Sequence, residues 1–384
     1  MQDKEKENTK RCKRCTLPDC LPSVNLDDNG ICEHCKNYDL LVEKWEKTKV
    51  QKQKELVDIV DRIKRTNQKY DCLIPLSGGK DSTYSLYLFA KVYNLKCLCV
   101  TFDNGFLSEQ AKKNIKSGAA AANADHIFFS INRNVLLRLY KLALQESSQF
   151  CSICMRGIEQ CVEANRSNIP LIVTGNGARV DYLTFIPELF QSGDNNYFTK
   201  MIGESYLKKD AKILFENKRS LPYRCTREIY HFVKRIFMIP QKKLLKKTIT
   251  SDIGYIDLYN YIDLPQNRMI EIIEREMGWS SSDEEIEHVD CLLHEMQHYV
   301  NALKFDEITL HTFHRSYLVR TGEITKEDAL RLESEELKSP IQPKILNSFL
   351  KEIEMTKDDF LSSVKDWKKI DKFRSRDKRM DKLQ

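Results

Sequence analysis

The spacing of apolar and polar positions changes character several times along this chain. Between Leu40 and Lys69, Leu41, Trp45, Leu56, Ile59, Val60 and Ile63 recur at partly helical spacing among Lys, Glu and Gln, which predicts a partly exposed connecting helix or pair of helices. At Tyr70 the pattern switches. Cys72-Leu-Ile-Pro-Leu76 is a short continuous apolar run ending in Ser77-Gly78-Gly79, Thr83 to Val92 is helical, and Cys97 to Phe102 is a second apolar run. Strand, glycine loop, helix and strand make a βαβ unit, and uninterrupted apolar strands suit a parallel sheet covered on both faces. The pattern continues with a helix over Ala111 to Ala124, a strand over His126 to Ser130, a helix over Val135 to Glu146 and a fourth strand over Pro170 to Thr174. A strand around Tyr255 to Ile262 and a helix over Gln266 to Met277 follow. The expected fold class is α/β, a doubly wound parallel sheet with an N-terminal metal-binding arm and a helical C-terminal region. The expected divisions are 1–39 for the arm, 40–69 for the connecting segment, 70–265 for the sheet domain and 266–384 for a helical substrate-side region.

Composition narrows the setting. The 384 residues are 41% hydrophobic and 31% charged, with 62 basic against 56 acidic residues and a net charge of +6. That balance suits phosphate-rich partners but does not by itself call for nucleic acid. The longest apolar runs, Leu95 to Phe102 and Ile169 to Thr174, fall far short of the ~18 residues of a membrane helix. The N-terminus MQDKEKENTKR is charged where a signal peptide is apolar, so the expectation is a cytoplasmic protein with no membrane partner.

Thirteen cysteines are many for a reducing compartment, where clustered thiols point to metal or catalysis. Cys12-x-x-Cys15 and Cys32-x-x-Cys35 are two knuckles separated by the polar turn Asn25 to Gly30, a spacing that lets four thiolates meet around one tetrahedral zinc. The alternative is unpaired thiols on a disordered arm. Cys20 lies between the knuckles as a spare, and Cys72, Cys97, Cys99 and Cys161 sit in strand or helix patterns as small buried hydrophobes.

The glycine loop carries the chemistry. Gly78 and Gly79 let the backbone approach phosphate oxygens, and the helix that starts near Asp81 aims free N–H groups at the same point. Ser77 and Ser82 add hydroxyl donors and Lys80 a cation. Asp81 would repel a phosphate directly, so its use is to hold Mg²⁺ between phosphates. The GxxxxGK[ST] pattern is absent. A plain Gly-Gly turn with a capping serine is the bland alternative.

Ser77 to Ser82, SGGKDS, resembles the SGGxDS signature of the PP-loop ATP pyrophosphatases. The resemblance implies an adenine nucleotide alpha hydrolase-like fold and cleavage of ATP between its α- and β-phosphates, so that a substrate oxygen is adenylated and AMP then leaves. Phe102, Asp103 and Asn104, and Thr174-Gly175-Asn176-Gly177, stand where that family flanks the adenine. Arg11 to Asp19, Asn29 to Cys35, Tyr255 to Tyr261, Glu276 to Trp279 and Thr321 to Leu330 extend the likeness to the N-acetyl sugar amidotransferase branch, associated with surface polysaccharides. That branch implies conversion of a sugar acetamido group to an acetamidino group, with ammonia from a glutaminase and a channel subunit. The substrate would be a small or carrier-linked N-acetylated sugar, and a homodimer is a further assembly.

One motif departs from the branch. Cys151-Ser-Ile-Cys154, followed by Arg156, resembles the CxxC of PP-loop tRNA thiolases, which hold a 4Fe–4S cluster on three cysteines. Cys291, in His288-Val-Asp-Cys291, stands where their third ligand falls, and Cys225 is a rival. Three thiolates would leave one iron open. Cys151 and Cys154 also read as a redox pair or a second zinc half-site, and Cys291 as core packing. If the cluster serves sulfur transfer to an adenylated carbonyl, a nucleobase becomes a candidate substrate; otherwise nucleic acid is not expected. His288 or Asp290 is a candidate base on the segment that leads to Cys291. His294 and His298 have i, i+4 spacing without the HExxH order, and read as a partly solvated helix face.

Overall fold

The computed structural model describes residues 9–21, 24–145, 153–154, 157–158, 161–162, 165, 168–176, 254–281, 291–304, 308–338 and 341–365. The connecting segment is one helix, α1 (Glu33–Lys64), where the spacing left one or two open. It begins inside the cysteine arm and takes in Cys35; its buried Trp45, Leu56, Val60 and Ile63 form the apolar stripe.

Five strands follow: β1 (Cys72–Pro75), β2 (Cys97–Asp103), β3 (Asp125–Ser130), β4 (Leu171–Thr174) and β5 (Gly254–Asp257). They pair in the order β3-β2-β1-β4-β5, and every pairing is parallel. The described helices between them are α2 (Lys80–Leu86), which continues as a π-helical turn over Tyr87–Val92, α3 (Glu109–Ala121) and α4 (Arg133–Gln145). Strand order runs outward from β1 to β3 and then resumes at β4 on the other side of β1. Beyond the carboxyl ends of β1 and β4 the connections part in opposite directions, which opens the crevice where doubly wound sheets take ligands.

The C-terminal part is helical: α5 (Gln266–Met277), α6 (Leu292–Lys304), α7 (Thr312–Thr321), α8 (Lys326–Lys338), α9 (Leu346–Glu352) and α10 (Lys357–Lys365). Two cores hold the layers together. Leu56 and Val60 of α1, Ile74 and Val173 of the sheet, Phe89, and Ile273 and Met277 of α5 pack on one side. Tyr140 of α4, Met296 of α6, Phe349 of α9 and Phe360 of α10 pack together on the other. Phe349 and Phe360 are wholly buried, and each such side chain is worth about 1.5–3 kcal/mol of transfer free energy. Among the described residues no helix is long and apolar enough to cross a membrane.

Candidate active site

The SGGKDS loop leaves β1 at the switch point and closes on itself. Ser77 N–H donates to Ser82 Oγ at 3.1 Å, Gly79 N–H to Ser77 Oγ at 3.3 Å, and Ser82 Oγ to Gly79 O at 3.2 Å. Gly78 lies at φ +85°, where a Cβ would stand 2.5 Å from the Ala111 carbonyl oxygen of α3. Glycine is thus required by both backbone conformation and space. Gly79 is different: at φ −75°, ψ 166° it is the extended N-cap of α2. Lys80 Nζ lies 3.2 Å from Asp81 Oδ2, both half-buried.

Two residues from outside the loop fix it from behind. Trp279 Nε1 donates to Gly78 O at 2.9 Å and Asn114 Nδ2 to the same oxygen at 3.1 Å. Asn114 is held in turn, since its Nδ2 donates to Ser280 O at 3.0 Å and its Oδ1 accepts from Ser280 N–H at 3.1 Å. Gly278 makes this approach by ending α5 at φ 60°, the left-handed cap that turns the chain towards α3. Beyond β4, Gly175 packs against the start of α2, where a Cβ would lie 3.2 Å from the Asp81 carbonyl carbon. Asn176 O accepts from Tyr259 N–H at 3.1 Å. Burial first, and the Asp81 carboxylate after it, push the Tyr259 phenol well above its ordinary value, and the hydroxyl donates to Met269 Sδ at 3.2 Å. Trp279 and Tyr259 belong to the stretches Glu276 to Trp279 and Tyr255 to Tyr261, and nothing in their spacing marks either as a support of the loop.

At the end of β2 the side chains of Phe102, Asp103 and Asn104 make three different kinds of contact. The Phe102 side chain is only 6% exposed and packs in the α4 core against Phe129 and Gly157. Asp103 Oδ1 accepts from Gly105 N–H at 2.8 Å. Asn104 Nδ2 lies 3.2 Å from Cys154 Sγ and 3.1 Å from Cys291 Sγ. The Tyr140 hydroxyl lies 3.6 Å from Cys154 Sγ, and Cys291 forms a β-bridge with Leu107. Two of the cysteines expected to share a cluster therefore converge on one amide, half-buried at the carboxyl edge of the sheet. An amide nitrogen donates, so both sulfurs act as acceptors, a role open to thiol and thiolate alike. Cys151, Cys225, His288 and Asp290 lie outside the described residues. His294 and His298 on α6 are half-buried, with their Nε2 atoms 2.8 Å apart.

In the arm, the sulfurs of Cys12, Cys15, Cys32 and Cys35 all lie within 4.8 Å of one another and all four residues are buried. Hydrogen bonding among them holds Cys12 far below the ordinary thiol value and drives Cys32 and Cys35 far above it. Four buried sulfurs this close form a tetrahedral donor set of the kind that a metal cation fits. The arm rests on the C-terminal helices. Ile308 and Phe313 join its core, Arg11 Nη1 donates to Glu333 Oε2 at 3.0 Å, and Lys326 Nζ donates to Lys13 O at 2.8 Å. Cys20 is exposed, whereas Cys72, Cys97, Cys99 and Cys161 are buried.

Fold and loop together define an α/β protein of the doubly wound type with a glycine–serine loop at its switch point. Residues 285–384 match the family model described as LPS biosynthesis protein WbpG-like, C-terminal domain. The chain is also similar to the uncharacterized protein MJ1599 of Methanocaldococcus jannaschii, with 29% identity over 133 residues, which are 35% of this chain and 46% of that relative. The match thus spans about half the relative's length. Among solved structures, the U34-tRNA thiolase NcsA from Methanococcus maripaludis with its 4Fe–4S cluster overlays at a TM-score of 0.31 and 13% identity, covering 88% of this chain and 91% of that one. The fold reads from the sheet order itself rather than from that overlay.

Proposed function

We propose that the protein is an ATP-dependent, AMP- and pyrophosphate-forming amidotransferase that replaces the carbonyl oxygen of a sugar N-acetyl group with nitrogen, for surface polysaccharide. The observation that carries this reading is the SGGKDS loop at the switch point, combined with a C-terminal region similar to a lipopolysaccharide biosynthesis domain. An amide carbonyl is a poor electrophile and its oxygen a poor leaving group. Adenylation corrects both: the carbonyl oxygen attacks the α-phosphorus, pyrophosphate leaves, ammonia adds to the carbon, and AMP departs with the oxygen once the added nitrogen has lost a proton.

In this reading Ser77, Gly78, Gly79 and Ser82 bind the phosphates, with Lys80 as the cation at the developing charge. Asp81 holds Mg²⁺, which neutralises phosphate charge when bound. Gly175 and Asn176, with the backbone at Phe102 and Asp103, border the adenine. His288 or Asp290 takes the proton from the attacking nitrogen. Zinc on Cys12, Cys15, Cys32 and Cys35 ties the arm to the substrate-side helices, and a 4Fe–4S cluster is held by Cys151, Cys154 and Cys291. A glutaminase and a channel subunit supply ammonia.

A second reading, sulfur transfer to an adenylated carbonyl, is favoured by the convergence of Cys154 and Cys291 at Asn104. One experiment separates the two. The anaerobically prepared protein is given ATP, Mg²⁺ and an N-acetylated sugar nucleotide with ammonium or sulfide in turn, and the product is weighed. Nitrogen in place of oxygen supports amidation. Sulfur in its place, or AMP release that ignores the sugar, refutes it.

A further inference from the structure

Asn104 stands in a loop that is tied by hydrogen bonds at its neighbour Gly105. Gly105, at φ +78°, gives its N–H to Asp103 Oδ1 at 2.8 Å, and its carbonyl accepts from Arg133 Nη1 at 3.3 Å. The carboxamide is oriented by its own contacts. Phe106 N–H, which can only donate, lies 2.8 Å from Asn104 Oδ1, so the oxygen faces the backbone and the nitrogen faces the sulfurs. The nitrogen has two hydrogens and two sulfur neighbours, Cys154 Sγ at 3.2 Å and Cys291 Sγ at 3.1 Å. Asn104 is 3% exposed, so water does not compete for these bonds.

Cys291 is tied to the same loop through backbone, by its bridge with Leu107 and by the bond from Leu292 N–H to Phe106 O at 3.0 Å. Cys154 meets Cys291 across the Asn104 amide, with the Tyr140 hydroxyl on it at 3.6 Å.

We propose that Asn104 is a positioning residue for sulfur chemistry: its amide donates one N–H to each of Cys154 and Cys291 and holds the two sulfurs together as a pair at the carboxyl edge of β2. The pair serves as cluster ligands, and that part rests on the cluster reading given above. Hydrogen bonds to cluster sulfurs stabilise the more negative reduced state, so Asn104 also raises the cluster's reduction potential.

The test uses the full-length protein, wild type and Asn104→Asp, which keeps the shape and the oxygen facing Phe106 but replaces the donor with an oxygen. Metal-free protein is treated with dibromobimane, a short reagent that links two thiols, and the Cys154–Cys291 link is measured by mass spectrometry. Reconstituted protein is assayed for iron and sulfide and titrated for midpoint potential. Asn104→Asp is expected to lose the link severalfold, to hold less iron and to shift the midpoint to more negative potential. Asn104→Ser, too short to reach either sulfur, is expected to do the same and serves if the first variant does not fold. A variant of wild-type circular dichroism that keeps both the link and the midpoint overturns the proposal. Wild type that takes up no iron, while its link still depends on Asn104, overturns the cluster reading and supports Asn104 as the holder of the two sulfurs.

Discussion

Replacing Gly78 with alanine should damage folding, whereas the same change at the adjacent Gly79 should damage nucleotide binding alone. At Gly78 two costs add. Alanine in the left-handed region costs about 1–2 kcal/mol, and its Cβ would stand 2.5 Å from the Ala111 carbonyl oxygen, a backbone atom in α3 that cannot simply rotate away. The loop cannot swing outward either, because the Gly78 carbonyl is gripped by both Trp279 and Asn114. Together these give a loss of about 2–4 kcal/mol, which at a urea dependence of about 2–3 kcal/mol per molar moves the midpoint down by about 1 M. Gly79, at φ −75°, ψ 166°, occupies a region open to any residue, so Gly79→Ala should unfold close to the wild-type midpoint. In the proposed reading its added methyl crowds the backbone that phosphate must approach, and ATP affinity should fall at least tenfold. Urea denaturation followed by circular dichroism, with ATP titration calorimetry on the folded proteins, reads both quantities. A Gly78→Ala protein with the wild-type midpoint, or a Gly79→Ala protein with wild-type ATP affinity, would refute the reasoning.

Asp81→Asn should keep the fold while losing Mg²⁺-dependent AMP release by at least a hundredfold, read by nucleotide chromatography; normal turnover would remove Asp81 as a metal ligand. Cys35→Ser should lower the zinc content measured by elemental analysis and free the arm from Ile308 and Phe313, seen as faster hydrogen exchange over 10–35; undiminished zinc would exclude the four-cysteine site. Burial lowers His126 below its ordinary value while its Nε2 meets Thr101 Oγ1 at 2.7 Å. The unfolded chain therefore takes up the proton first, and stability should fall as pH drops below about 6.5, levelling once the folded form is also protonated. In His126→Gln that acid limb should flatten in urea midpoints taken across the range.

What the sequence determined by itself is what local pattern records. Continuous apolar runs become β1, β2 and β4, because strands covered on both faces need apolar residues at every position. The CxxC spacings and the SGGKDS loop are equally local: a few adjacent residues set the turn that brings their ligand atoms together. Strand order is another matter, since alternation and length say that a strand is buried but not what lies beside it. The structure alone placed β4 next to β1, and with it Gly175 against the start of α2. It also brought Trp279 to a carbonyl 201 residues earlier and Cys291 to an amide 187 residues earlier. Asn104 shows the limit most plainly. Beside Phe102 and Asp103 it reads as part of a nucleotide edge, yet its amide serves two sulfurs, because which groups meet a buried side chain is settled by long-range packing that local periodicity does not encode.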